Sequence, residues 1–111
     1  MTRARKSAKG LTKQALDALV EEATVDAYDA SEQVSGLFSL IEERLALPFT
    51  TQILGVEADV TGIELNEHNG IVAVCRRGRY KQRISLLDLP LPGTPPPGWE
   101  SIEAYRHWAP G

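Results

Sequence analysis

Carboxylate side chains crowd the part of the sequence between Asp17 and Glu67. This segment carries twelve aspartates and glutamates and a single basic residue, Arg44, although the 111-residue chain has a net charge of only −3. An excess of one charge sign is self-repulsive and raises the local concentration of the opposite counterion. Calcium takes about six to eight oxygen ligands, many of them carboxylates. The segment therefore indicates either a hard-cation site or a surface for a basic partner.

Four acids in this segment have an informative placement. Asp26 and Asp29 flank an alanine and a tyrosine in a predicted loop, and Glu42 and Glu43 are adjacent near the end of a predicted helix. A helix C-terminus disfavours negative charge, so adjacent acids there favour a compensating cation. The EF-hand calcium loop is absent, because no stretch has oxygen ligands at alternate positions with a central glycine and a terminal glutamate. Read alone, each acid is typical of a solvated surface charge.

A second group of chemically suggestive side chains is basic. Five cations surround Tyr80 in one predicted hairpin, namely Arg76, Arg77, Arg79, Lys81 and Arg83. An exposed tyrosine could stack on a nucleic-acid base, and the cations could contact phosphates. Alternation along strands places only some of the five on one face, and the net negative charge of the chain would repel phosphate. The alternative interpretation is that this hairpin compensates the acidic helix within the fold.

Signatures of catalysis are missing from the sequence. It contains no glycine-rich phosphate loop, no serine nucleophile elbow and no HExxH pair, and neither His68 nor His107 has a spaced partner. The single cysteine, Cys75, excludes an internal disulfide, and its apolar run predicts a small buried side chain rather than a nucleophile. We therefore do not expect an enzyme.

Composition predicts a small cytoplasmic protein. The sequence has no apolar stretch near the roughly 18 residues of a membrane span, and its basic head lacks the apolar core of a signal peptide. We expect a flexible basic tail over residues 1–10 and one domain over residues 11–111, with no membrane contact and a monomeric state.

Two helices are predicted before the first proline. Residues 11–24 show apolar side chains at helical spacing. A second helix should begin at Asp29 as N-cap, with Glu32 completing a capping box, and should end by Pro48. Gly36 in its middle indicates close packing. The apolar stripe of this helix comprises Val34, Leu37, Phe38, Ile41 and Leu45.

Short strands follow the second helix. Residues rich in Val, Ile and Thr predict strands over 49–56, 58–65, 71–77 and 80–86, with a tight hairpin at residues 77–79. The proline-rich residues 87–98 predict an extended strap, which leads to a short helix over residues 99–108. The predicted fold class is α+β, with a small antiparallel sheet or SH3-like barrel of four to five strands.

Several motifs resemble those of a small bacterial family of calcium-binding proteins. Residues 24–49 contain Val-Asp-Ala-Tyr, a Glu-Gln pair, a glycine with a nearby phenylalanine, two adjacent acids and a Pro-Phe pair that enters the first strand. Residues 102–108 resemble the acidic-aromatic C-terminal helix of the same family, whose namesake is the cyanobacterial calcium-binding protein CcbP. The resemblance covers about residues 20–108.

The resemblance implies a bacterial calcium buffer or sensor without an EF-hand. By motif, it implies that Asp26, Glu42 and Glu43 are direct calcium ligands. We add Asp29, Glu57 and Glu67 as weaker candidates. The alternative function is a small module that binds nucleic acid or a protein partner through the basic hairpin of residues 76–83.

Overall fold

The computed structural model describes residues 11–109, so the predicted basic tail of residues 1–10 lies outside the described residues. Three helices and four strands occur in this part of the chain, and the predicted α+β fold is confirmed. None of these helices is both long and apolar enough to span a membrane. The elements are α1 (Lys13–Thr24), α2 (Ala30–Arg44), β1 (Phe49–Ile53), β2 (Val56–Leu65), β3 (Ile71–Arg77), β4 (Tyr80–Ser85) and α3 (Trp99–Trp108).

The start of α2 follows the predicted capping pattern. The Asp29 carboxylate accepts a hydrogen bond from the Glu32 N–H at 2.9 Å. The Glu32 carboxylate accepts one from the Tyr28 N–H at 2.6 Å, one residue before the N-cap position of a standard capping box. The helix ends at Arg44 rather than at the proline, because Leu45 is already extended. These bonds fix the direction in which the chain enters α2.

The four strands form one open antiparallel meander in the order β1–β2–β3–β4. The SH3-like barrel alternative is therefore wrong. The β3–β4 hairpin turns at Gly78, whose φ is 60°, and Arg77 pairs with Tyr80 as predicted. The first hairpin differs from the prediction, because the chain turns at Leu54 and Gly55 within the segment predicted to be a strand. Both turn residues have positive φ, 52° and 79°, as a two-residue hairpin turn requires.

A β-bulge explains why β2 does not alternate regularly. Val60 pairs with Cys75 and Gly62 with Val74, so Thr61 is an extra residue in β2. Val60 and Ile63 consequently face the same side of the sheet although they are three residues apart, and both are buried. The bulge keeps the apolar side chains of β2 on the core face.

The core lies between the sheet and the helices. Side chains from α2, the sheet, the strap and α3 form one buried cluster, and α1 packs partly buried residues against it. The predicted docking of α3 is confirmed, because Ile102 and Tyr105 are buried. Its Arg106 donates hydrogen bonds to the carbonyls of Leu86 and Leu89, which fastens the strap to α3. The cluster comprises Val34, Leu37, Ile41, Leu45, Val60, Ile63, Ile71, Ala73, Cys75, Leu86, Leu89, Ile102, Ala104 and Tyr105.

The Tyr105 hydroxyl provides a first test of this core. The buried Ile71 N–H donates to it at 3.2 Å. We expect Tyr105→Phe to lower the free energy of unfolding by about 1–2 kcal/mol, because it leaves that N–H without an acceptor. Urea unfolding measures the loss. The matched control is Tyr80→Phe, which removes an exposed hydroxyl and should change stability by less than about 0.5 kcal/mol. Equal effects of the two variants would contradict the role assigned to the hydroxyl.

Candidate functional site

The six acids predicted to bind calcium have no basic partner in the described part of the chain. No salt bridge within residues 11–109 involves Asp26, Asp29, Glu42, Glu43, Glu57 or Glu67. Salt bridges join other acids to basic side chains: Asp17 to Lys13 and His107, Glu22 to Arg44, Glu64 to Arg83, and Glu103 to Arg106. Hydrogen bonds, first from Lys13 and then from His107, lower the pKa of the Asp17 carboxyl. The predicted ligands thus keep their negative charge, as do Glu21, Glu32 and Asp59 of the same segment.

These six acids do not meet at one point. Asp26 and Asp29 lie at the α1–α2 connection, Glu42 and Glu43 at the end of α2, and Glu57 at the start of β2. Glu67 lies in the β2–β3 turn. Among residues 11–109 no group of three or more Asp, Glu, His or Cys side chains is placed to hold a metal ion. The prediction that Asp26, Glu42 and Glu43 act together therefore has no preformed geometry behind it.

A small polar cleft lies beside Asp26. It has a volume of about 320 Å³, and its polar side chains are Asp26, Ser31, Glu32 and Ser35. All four carry oxygen, and no basic side chain lines the cleft. The cleft also adjoins the C-terminal end of α1, the negative pole of that helix dipole. The first turns of α2, the positive pole of its own dipole, line the other side, so the two carboxylates are what favours a cation here.

Asp29 has a structural task that competes with metal binding. Its carboxylate holds the Glu32 N–H at the first turn of α2. Glu32 uses one carboxylate oxygen for the Tyr28 N–H and also lines the cleft. The sequence pattern predicts only a capping role for Glu32. Its position six residues after Asp26, across a loop-to-helix junction, is the signal that could have suggested a shared site.

Glu42 and Glu43 are exposed on the last turn of α2. Seven residues separate Ser35 from Glu42, which at about 1.5 Å per residue places Glu42 about 10 Å along the axis from the cleft. Their neighbour Arg44 pairs with Glu22 of α1. Glu42 and Glu43 can strengthen the negative field at the cleft but cannot touch an ion bound there.

The turn that carries Glu67 approaches the N-terminal end of α2, where the cleft lies. The Ser31 hydroxyl donates to the Asn69 side-chain oxygen at 3.5 Å. Within the turn, the Asn66 side chain accepts hydrogen bonds from the N–H groups of His68 and Gly70 at 2.8 and 2.9 Å. Glu57 lies at the other end of β2, opposite Gln52 of β1. Glu67 is therefore nearer to the cleft than Glu57 is.

The basic hairpin presents its cations on two faces. Arg76 pairs with Lys81, Arg77 pairs with Tyr80, and neighbouring positions point to opposite sides of the sheet. Arg83 forms a salt bridge of 2.7 Å with Glu64 of β2 and lowers the pKa of that carboxyl. In the described part of the chain no salt bridge links this hairpin to an acid of α2. The interpretation of the hairpin as compensation for the acidic helix is therefore wrong.

Cys75 is a core residue, as predicted. Its side chain is 2% exposed, and burial raises the pKa of the thiol. A thiol with a raised pKa is mostly protonated at neutral pH and is a poor nucleophile.

Comparison with protein-family models, with curated proteins and with solved structures finds no match for this chain. The resemblance to the calcium-binding family therefore depends on the motifs in the sequence.

Proposed function

We propose that this protein binds calcium in the cleft beside Asp26 and acts as a calcium buffer or sensor. The observation that carries the proposal is the lining of that cleft, where Asp26, Glu32, Ser31 and Ser35 supply only oxygen and no cation competes. The two carboxylates and the serine hydroxyls are hard donors of the kind that calcium takes, and water would complete the coordination.

The rest of the acidic segment contributes charge rather than ligands. Asp29 supports the site indirectly, because its hydrogen bond fixes the turn of α2 that presents Ser31 and Glu32. Glu42 and Glu43 lie about two helical turns beyond Ser35 and act through their field. Field effects between exposed charges weaken as salt is added, whereas direct coordination is less sensitive.

Few protein ligands imply modest affinity. Calcium sensors bind in the range of about 10⁻⁷ to 10⁻⁵ M, and we expect a dissociation constant at the weak end of that range, on the order of 10⁻⁵ M. Magnesium demands a nearly ideal octahedron and gives up its waters reluctantly, so an open cleft should prefer calcium.

Isothermal titration of the metal-stripped protein tests the proposal. In about 0.15 M salt we expect Asp26→Asn/Glu32→Gln to abolish calcium binding, because both charged ligands are replaced by amides. Glutamine at position 32 can still accept from the Tyr28 N–H, so α2 keeps its cap. The titration is repeated with magnesium to measure selectivity.

The matched control is Glu42→Gln/Glu43→Gln, which makes the same change in net charge at the far end of α2. We expect it to weaken binding by about twofold, and the difference should disappear as salt is raised. If this control loses binding while Asp26→Asn/Glu32→Gln retains it, the site lies at the end of α2. If neither ion binds the unsubstituted protein, the carboxylates are surface charge and the proposal fails.

A further inference from the structure

A groove lies at the end of the sheet where both hairpins turn. It has a volume of about 450 Å³, and its lining includes Ile53, Leu54, Val56, Arg77 and Tyr80. Leu54 is 98% exposed, Tyr80 69% and Val56 41%. We call this feature the hairpin groove. Large apolar side chains that gather in one exposed patch are typical of an interaction surface.

The hairpin groove continues the core face of the sheet. Val60 and Cys75 are buried in the core, and Val56 and Arg77 lie on the same face because they are four and two residues away along their strands. Tyr80 pairs with Arg77 and shares that face. The sheet thus extends its apolar face past the buried cluster, and within residues 11–109 these groove side chains remain exposed or only partly buried.

Leu54 is an unexpected residue for its position. It occupies the first position of the β1–β2 turn with a φ of 52°, where asparagine or glycine is preferred and a leucine is strained. Its side chain is also nearly all in water. This leucine has both a strained backbone conformation and an apolar side chain exposed to water. The two costs together suggest that it contacts another molecule.

Charge indicates what that partner is. Arg77 and Lys81 line the groove, and neither forms a salt bridge with an acid of the described residues, whereas Arg83 is paired with Glu64. Arg77 shares the groove face with Tyr80, and Lys81 lies at its edge on the neighbouring position of the strand. Unpaired cations around an apolar groove complement a segment that carries carboxylates around an apolar side chain.

We propose that the hairpin groove binds an acidic segment of a partner protein, with a large apolar side chain of that segment packed against Leu54, Val56 and Tyr80. Nucleic acid fits less well, because Leu54 and Val56 offer nothing to phosphate and the net charge of −3 repels a long polyanion. A short acidic segment could lie on the groove face beside Arg77 and avoid the acidic helices. It would also avoid the acids on the other face of β2, which are Glu57 and Asp59.

The test begins with a random peptide library displayed on phage and panned against the full chain in EDTA, so that the result does not depend on calcium. We expect the enriched peptides to be acidic and to contain leucine, phenylalanine or tryptophan. The affinity of one such peptide is then measured by fluorescence anisotropy. Leu54→Asn should weaken it at least about tenfold, which is the effect of removing a central apolar contact.

Matched variants separate binding from folding. Leu54→Asn gives the turn its preferred residue, so its melting temperature should rise while binding falls. Leu87→Asn removes a leucine that is 46% exposed outside the groove and should leave binding unchanged. Arg77→Gln should weaken binding most at low salt, whereas Arg83→Gln changes charge equally on the opposite face and should have little effect.

Four outcomes would overturn the proposal. The first is a panning experiment without enrichment, and the second is enrichment of basic peptides or of peptides that bind Leu54→Asn equally well. The third is concentration-dependent self-association in sedimentation that Leu54→Asn abolishes, which would assign the groove to a second copy of the chain. The fourth is retardation of single-stranded DNA that Arg77→Gln abolishes and Leu54→Asn leaves intact, which would assign the surface to nucleic acid.

Discussion

Gly98→Ala is expected to destabilise the fold by about 4 kcal/mol and to lower the melting temperature by about 15 °C. Gly98 is the N-cap of α3 and has a φ of 86°, which an alanine adopts at a cost of about 1 kcal/mol or more. A Cβ at this position would also overlap the carbonyl group of Arg44 and would lie 2.7 Å from the Cα of Leu45. These neighbours are backbone atoms, so no side-chain rotation can relieve the overlap.

The surrounding hydrogen bonds oppose a rigid shift of the strap. The Ala46 N–H donates to the Pro97 carbonyl at 2.9 Å, which joins the end of α2 to the strap. The Ser101 hydroxyl and N–H both donate to the Gly98 carbonyl, at 2.6 and 3.0 Å. Moving Gly98 away from Arg44 would stretch these bonds while α3 remains held by its buried residues. We therefore expect the whole cost of this backbone overlap to appear as a loss in the free energy of unfolding.

Two other glycines separate the backbone cost of a positive φ from the cost of the steric overlap. Gly55 has a φ of 79° with nothing within 4 Å of an added Cβ, so Gly55→Ala measures the backbone cost alone. Gly62 has neither a positive φ nor a near neighbour, so Gly62→Ala measures the general effect of adding a methyl group. Urea unfolding should rank the losses as Gly98, then Gly55, then Gly62. A loss at Gly98 no larger than that at Gly55 would show that the strap does not pack against α2 as described.

Elements specified by local interactions were predictable from the sequence. The start of α2 depends on Asp29 and Glu32, which are three residues apart, and its apolar stripe appears directly in the helical period. The β3–β4 hairpin follows from a glycine between two strand-like runs. The pattern marks Gly55 as a turn or bulge but continues the strand to residue 56, because leucine and glycine are not the asparagine and glycine of the strongest hairpin signal. The open sheet was undecidable because closure depends on how the strands at its two edges are placed, which local pattern does not encode.

The candidate sites were less predictable than the fold. Motifs grouped Asp26 with Glu42 and Glu43, yet more than two turns of α2 separate Glu32, at the cleft, from Glu42. The role of Glu32 at the cleft depends on the angle between α1 and α2, which no local signal specifies. The hairpin groove combines residues of all four strands, and its assembly requires the register of Arg77 with Tyr80 and the position of the first turn. The sequence shows which types of side chain could form each site, but it does not show the distances between them.

We expect Gly36→Ala to destabilise the protein, although helix propensity alone predicts that it stabilises. In the exposed interior of a helix this change stabilises by about 1 kcal/mol. Here a Cβ would overlap the carbonyl oxygen of Ala23 and lie 3.1 Å from its carbonyl carbon. The clash is with the backbone of α1, so the two helices must separate. We expect a net loss of about 3 kcal/mol in the free energy of unfolding, measured by urea unfolding.

The control for Gly36→Ala is Ser39→Ala, which adds an alanine at an exposed position of the same helix and should be neutral or stabilising by a few tenths of a kcal/mol. Because Gly36 lines the same cleft as Asp26 and Glu32, separation of α1 from α2 should also weaken calcium binding in Gly36→Ala but not in Ser39→Ala. If Gly36→Ala stabilises the protein, α1 does not contact α2 at this point. The cleft would then lose the wall that α1 supplies, and the proposed calcium site would fail together with the packing.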